Sequence, residues 1–132
     1  DCKWLLVYGP GERDTAEAVC QAAGESAAVL PLEDVFDLRR IAALVKRADL
    51  FLGNCSAPRH MAVAVDTPSL AVLGSSSTAW TFPAPEHQDI ALGMSCQPCN
   101  QESCSFTDVP CLRDLAPEAV WERLRGQLEH GR

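Results

Sequence analysis

The feature that most limits the fold is the alternation of short apolar runs with segments of helical periodicity. Residues 3–8 form an apolar run that stops at Gly9 and Pro10, which is typical of a strand buried on both faces. The next segment repeats small apolar side chains at helical spacing, and Asp14 with Glu17 predicts a capping box at its start. A strand followed by a helix is the repeating unit of parallel sheets.

This alternation continues to the end of the chain. Further strands are predicted over residues 28–30, 50–53, 69–73 and 89–92, and further helices over 38–48, 58–65 and from Pro117 onward. Asp37 is placed to cap the helix that follows it. The order predicts an α/β domain with three layers, in which a Rossmann-like, mostly parallel sheet lies between helices. Residues 75–88 form a long loop, and such loops in compact domains are often functional.

Composition narrows the class of protein. A chain of 132 residues fits one compact domain, and a formal net charge of -7 disfavours binding to nucleic acid or to an anionic membrane. No apolar run approaches the roughly 20 residues of a membrane-spanning helix, and no signal peptide is visible. The seven cysteines are an odd number, which favours a reducing, cytoplasmic compartment. The first residue is Asp1 rather than methionine, which favours excision from a longer polypeptide.

Residues 53–60 join a predicted strand to a short predicted helix. In doubly wound sheets, ligands bind beyond the carboxyl ends of the strands, where helix N-termini direct unsatisfied backbone N–H groups outward. A diphosphate fits such a place, with Ser56 and His60 beside it. The alternative is that Ser56 only caps the helix and that His60 is only a partly buried surface residue.

Residues 48–68 read ADLFLGNCSAPRHMAVAVDTP. They resemble the signature of the heptosyltransferase family, A-D-L-F-[IV]-G-N-D-[ST]-G-P-x-H-[LM]-A-A-A-x-G-T-P. Residues 8–12 and 117–120 are similar to that family's second strand-and-turn and to its final helix. The resemblance implies that residues 1–132 are the C-terminal, donor-binding domain of a two-domain GT-B glycosyltransferase of the ADP-heptose:lipopolysaccharide heptosyltransferase type, without its first strand.

The resemblance also implies which residues contact the donor. It places Ser56 and His60 at the donor diphosphate or sugar, Glu12 near the ribose and Phe36 at the adenine pocket, although Phe36 equally suits a buried core position. The same donor-binding set includes Cys55, Ala57 and Gly74.

The activity implied is transfer of heptose from ADP-heptose to the lipopolysaccharide inner core, with no cofactor required. The family's catalytic base and a lysine segment lie in parts that this chain lacks, so no catalytic residue is assigned and the chain alone is not expected to be active. The partners implied are ADP-heptose or a related nucleotide sugar, an N-terminal acceptor-binding domain and the lipopolysaccharide core. The implied location is cytoplasmic, peripheral at the inner membrane through the missing parts.

Two departures from the family pattern support an alternative function. Cys55 stands where the family usually has Asp, and Ala57 where it has Gly, which restricts the backbone if a positive φ is needed there. The alternative is a non-catalytic interaction domain with a degenerate nucleotide cleft. With the first strand missing, residues 3–8 are expected either to pair directly with residues 50–53 or to receive a strand from elsewhere, since unpaired buried peptide groups are costly.

Residues 94–112 form a cysteine-rich loop. A C-x-P-C turn with two further thiols predicts a closed tetrahedral metal site, with zinc as the structural metal. Two disulfides, an iron–sulfur site and reduced thiols are the alternatives, and reduced thiols rank with zinc ahead of disulfides. A redox role is disfavoured because the pair does not open a helix after a strand. Cys2 and Cys20 are predicted to be buried core residues. The predicted ligands are Cys96, Cys99, Cys104 and Cys111.

Overall fold

A computed structural model of the protein describes residues 2–30, 37–80 and 82–130. The chain divides into two compact units, residues 1–41 and residues 42–132. The elements, in chain order, are β1 (Trp4–Leu6), α1 (Arg13–Ala23), β2 (Ala27–Val29), α2 (Leu38–Val45), β3 (Phe51–Asn54), α3 (Ala57–Ala64), β4 (Ser69–Val72), β5 (His87–Ile90), α4 (Pro110–Arg113) and α5 (Pro117–His130). Short 3-10 turns cover Gly24–Ser26 and Thr78–Trp80.

The first unit contains a strand–helix–strand arrangement. Strands β1 and β2 pair in parallel, with Trp4 opposite Ala27 and Leu6 opposite Val29. Helix α1 connects them and ends at Gly24, whose φ of 62° suits a residue without a side chain. The Cys20 thiol donates a hydrogen bond of 3.2 Å to the carbonyl of Ala27, which ties the helix to the second strand.

The predicted capping box between β1 and α1 is wrong. The helix begins at Arg13, one residue before Asp14, and Glu17 forms an ion pair of 2.7 Å with Arg13. The carboxylate of Glu12 accepts a hydrogen bond of 2.7 Å from the N–H of Gly9, and the N–H of Glu12 donates to the carbonyl of Gly9 at 3.1 Å. The turn is closed by Glu12, so Glu17 has no capping role.

The second unit is built on a parallel sheet with the order β3-β4-β5. Phe51 lies opposite Ser69 in one pair of strands, and Ser69 lies opposite His87 in the other. The central strand β4 is buried over its first three residues, as expected of a strand covered on both faces. The core residues with at most 1% exposure are Ala62, Leu70, Ala71, Leu73 and Leu124.

Helix α2 has the predicted cap. The Asp37 carboxylate accepts a hydrogen bond of 2.9 Å from the N–H of Arg39, which satisfies one of the helix's unpaired amide donors. At the other end, the hydroxyl of Thr67 donates to the carbonyl of Val45 at 2.9 Å. The helix ends at Val45, three residues before the predicted end at residue 48.

The predicted α/β class with a parallel sheet is confirmed, and each predicted strand is present within two residues of its expected bounds. Among the described residues, β1 pairs with β2 and β3 pairs with β4, and the expected direct pairing of residues 3–8 with residues 50–53 stays a prediction. A strand supplied from elsewhere stays a prediction. None of the helices in the described ranges has the length and hydropathy needed to cross a bilayer.

Candidate functional site

The candidate site is the junction between β3 and α3. Strand β3 ends at Asn54, and Ser56 is the N-cap of α3 with extended backbone angles (φ -146°, ψ 176°). The Ser56 hydroxyl makes no capping bond; it donates to the carbonyl of Asn54 at 3.4 Å. The predicted position of Ser56 is therefore confirmed, while its predicted capping bond is wrong. Its exposed hydroxyl lies beyond the carboxyl end of β3, the side of the sheet on which ligands of such folds bind.

Gly74 lies on the same side of the sheet, because β3 and β4 are parallel and Gly74 follows the end of β4. A side chain at Gly74 would come within 3.4 Å of Leu112. The carbonyl of Gly74 accepts a hydrogen bond of 2.8 Å from the amide of Gln97. Gly74 therefore marks the point where the cysteine-rich loop is attached to the sheet.

The two departures from the family pattern have different structural consequences. Ala57 is the first residue of α3 and is absent from the described non-glycine residues with positive φ, which are Asp66, Asn100 and Val109. Alanine therefore adopts this backbone without strain, and the expected restriction at Ala57 is wrong. Cys55 is half-buried, and its sulfur lies 3.9 Å from Nη1 of Arg59. A thiol beside a guanidinium takes the place of a carboxylate.

The structural role of Arg59 is not predicted from the sequence. This side chain is fully buried, and its guanidinium forms an ion pair with the Asp89 carboxylate on β5. Nη1 donates to the carbonyl of Trp80 at 3.4 Å, and Cζ lies 5.6 Å from the centre of the Phe82 ring. Arg59 therefore connects helix α3, the loop after β4 and strand β5. Its partners lie far apart in sequence, so only the residue type, an arginine in an otherwise apolar helix face, signals this role.

The Asp89 carboxyl is the other half of this ion pair. Burial raises the pKa of Asp89, and the nearby positive charge of Arg59 opposes that rise. Fully buried charges are rare in proteins unless they are paired, because leaving water is costly. The pair therefore works as a fixed link between α3 and β5.

His60 is exposed in the first part of α3 and contacts two aromatic rings. Its ring centre lies 6.2 Å from that of Trp80, with the planes at 80°, and 5.6 Å from that of Phe82, with the planes at 72°. Both are edge-to-face arrangements, which aromatic rings favour. His60 therefore lies at the surface, as its alternative interpretation expects, and the loop after β4 packs against it.

The remaining predicted donor residues lie in other parts of the chain. Glu12 belongs to the first unit, where its carboxylate accepts the hydrogen bond from Gly9. Phe36 lies outside the described residues. The residues that the structure brings together are Cys55, Ser56, Ala57 and His60, all at the β3–α3 junction.

A large open cavity of about 830 Å³ lies elsewhere in the second unit. It is lined by Pro68 ahead of β4, by residues that precede or belong to β5, such as Glu86 and Ile90, and by residues of α5, such as Arg123. Its lining does not include Ser56, His60 or Gly74.

The four cysteines of the loop over residues 94–112 line one small cavity of about 40 Å³. All four are free thiols; Cys111 is buried, and Cys99 is half-buried. Across the described residues, no three ligand side chains stand in an arrangement that holds a metal ion, so the metal site stays a prediction. The predicted burial of Cys2 is wrong, since this residue is exposed ahead of β1, and Cys20 is half-buried.

The C-x-P-C turn is held by the side chain of Gln97. Its amide nitrogen donates to the carbonyls of Leu73 and Gly74 at 3.2 and 2.8 Å. Its amide oxygen accepts bonds of 2.9 Å from the N–H groups of Gly93 and Met94. One side chain therefore attaches the cysteine loop to the end of β4.

Comparison with known proteins supports the resemblance at the β3–α3 junction. The sequence model of glycosyltransferase family 9 (heptosyltransferase) matches residues 2–109. The chain is 25% identical over 131 residues to lipooligosaccharide heptosyltransferase 2 of Campylobacter jejuni subsp. jejuni serotype O:2, covering 96% of this chain and 41% of that protein. It is also 25% identical over 126 residues to the enzyme of the same name from serotype O:6, covering 92% of this chain and 40% of that protein. No solved structure matches the chain significantly.

Proposed function

The chain belongs to glycosyltransferase family 9, the heptosyltransferase family, and from this premise we propose that it is the donor-binding part of a glycosyltransferase. The reaction proposed is transfer of heptose from ADP-heptose to the inner core of a lipopolysaccharide or lipooligosaccharide. The chain spans about two-fifths of the length of the curated relatives it matches, with 41% and 40% of their residues covered. The acceptor-binding domain and the catalytic base are proposed to lie outside these 132 residues.

The observation that carries this proposal is the geometry of the β3–α3 junction. Helix α3 begins immediately beyond the carboxyl end of a parallel strand, and its N-cap residue Ser56 keeps an exposed hydroxyl. The first amide groups of such a helix and its dipole favour an anion such as a diphosphate. Ala57 adds little bulk there, so a phosphate oxygen can approach the backbone. His60 supplies a further polar group one turn along the helix.

The proposed division of work within the donor site follows from these positions. The backbone of the α3 N-terminus and the Ser56 hydroxyl bind the diphosphate, and His60 contacts the diphosphate or the sugar. Glu12 and Phe36 are proposed for the ribose and the adenine on the family resemblance. We propose a cytoplasmic location, peripheral at the inner membrane through the parts outside this chain, and no cofactor for transfer.

A calorimetric titration with ADP and with AMP tests this proposal. Because the helix N-terminus is proposed to bind both phosphates, we expect saturable heat with ADP and at least about tenfold weaker binding of AMP. Equal affinity for the two nucleotides would contradict a diphosphate site at α3.

A non-catalytic interaction domain is the second candidate. The observation that favours it is Cys55, which puts a thiol where the family usually has a carboxylate, so a hydrogen-bond acceptor for the donor is lost. A degenerate cleft gives no saturable heat with either ADP or ADP-heptose. The same titration therefore separates the two functions.

A further inference from the structure

Trp80 is a large apolar side chain left in solvent beside the candidate donor site. It is 60% exposed although it lies in a 3-10 turn, Thr78–Trp80, whose backbone is held in place. Its ring packs edge-to-face on His60, the residue one turn into α3. Single exposed apolar residues are common on protein surfaces, so the informative fact is that this one is fixed next to the helix that is proposed to bind the donor.

The position of Trp80 is set by the buried Arg59. The carbonyl of Trp80 accepts a hydrogen bond from Arg59 Nη1 at 3.4 Å, and the same guanidinium is anchored by its ion pair with Asp89. Phe82, two residues further on, stacks over the guanidinium and also contacts His60. The loop is therefore attached to α3 at two points, and the indole is presented by a fixed backbone rather than by a free loop.

We propose that Trp80 is a sugar-stacking residue of the donor site, which binds the C–H face of the sugar ring while His60 contacts its hydroxyl groups or the adjoining phosphate. This inference rests on the proposed function. A sugar ring has an apolar face of C–H groups that loses water against the face of an aromatic ring, whereas a phosphate has no apolar face to stack on an indole. Ligand sites commonly combine such an apolar wall with a few polar groups that fix orientation.

The sugar, rather than the base, is the part of the donor assigned to Trp80. The proposed function gives the diphosphate to the α3 N-terminus and the adenosine to Glu12 and Phe36. The remaining part of a nucleotide sugar with an apolar face is the sugar ring. Trp80 is therefore expected to discriminate between ADP-heptose and ADP, which differ only by the heptose.

Calorimetric titrations of the protein and of Trp80→Ala with ADP and with ADP-heptose test this assignment. We expect Trp80→Ala to weaken ADP-heptose binding about tenfold and to leave ADP binding unchanged, because only the heptose loses its stacking surface. Trp80→Phe keeps an aromatic face and should retain binding of ADP-heptose to within about threefold. Trp121→Ala, which removes a tryptophan that is 47% exposed on α5, is the matched control and should change neither affinity.

Each other outcome overturns the proposal. Equal losses for ADP and ADP-heptose would mean that Trp80 supports the nucleotide or the loop rather than the sugar. Unchanged affinities would mean that Trp80 touches neither ligand. If the unmodified protein binds neither ligand, the proposed function itself fails, and this result is recognised in the unmodified protein before any variant is compared.

Discussion

The first prediction at the scale of single residues concerns the buried charge of Arg59. In Arg59→Met, the Asp89 carboxyl stays in a largely water-free site without its cation, so the free energy of unfolding should fall by about 3 kcal/mol. Urea unfolding followed by circular dichroism measures the change. Arg113→Met is the matched control, because Arg113 forms its ion pairs with Asp108 and Asp114 in solvent. A decrease in the free energy of unfolding no larger than that of the control would mean that the buried pair does not stabilise the fold more than an exposed pair does.

The second prediction at the scale of single residues concerns His60. The side chain is exposed, so His60→Ala should remove the proposed ligand contact and two ring contacts without opening the core. We expect ADP binding to weaken by about fivefold to tenfold, with the urea midpoint lowered only slightly. Titration calorimetry and urea unfolding of the same preparation separate the two effects. Loss of binding together with loss of the folded signal would assign His60 a structural role instead.

At the scale of elements, periodicity and caps placed the strands and the longer helices, but not the short helix α4 within the cysteine-rich loop. The Asp37 cap and the start of α5 at Pro117 were predicted from local sequence, because both depend on residues within one helical turn. The capping box at Asp14 was wrong, since a competing turn places Glu12 against Gly9.

The candidate site was only partly predictable, because local sequence patterns do not encode contacts between residues that lie far apart in the chain. Ser56 and His60 belong to a recognisable local pattern at a strand–helix junction. The contacts of Arg59 with Trp80 and Asp89 join residues 21 and 30 positions apart, and no local pattern encodes such contacts. The attachment of the cysteine loop through Gln97 was missed on the same grounds, because its partners Leu73 and Gly74, just after β4, lie 24 and 23 positions away in the sequence.

The prediction at the scale of elements concerns the cysteine-rich loop over residues 94–112. We expect protein purified under reducing conditions to contain about one zinc ion per chain, since a C-x-P-C turn with two further thiols is a ligand pattern of structural zinc sites. Cys99→Ser should lower the zinc content severalfold and loosen the loop, because structural zinc needs all four ligands. Elemental analysis measures the metal, and Cys2→Ser, outside the loop, is the matched control. Protein with no metal, or with iron, would contradict the zinc site.

At the scale of the whole molecule, the open edge of the larger sheet sets an expectation for assembly. Within the second unit, β3 is the last strand of the order β3-β4-β5. An edge strand with free peptide groups pairs readily with a strand from another source. We therefore still expect that a strand from outside the chain, or from a second copy, completes the sheet.

Amide exchange along β3 makes that expectation measurable. The N–H of Phe51 donates to the carbonyl of Pro68 at 2.8 Å, so in a parallel pair the peptide groups of Leu52 point to the opposite, open edge. In dilute protein we therefore expect the Leu52 amide to exchange much faster than that of Phe51. The difference should shrink as the protein is concentrated, because a second copy of the chain then pairs with the edge. Equal protection of both amides at every dilution, measured by NMR-detected hydrogen exchange, would show that a strand within the chain already covers β3.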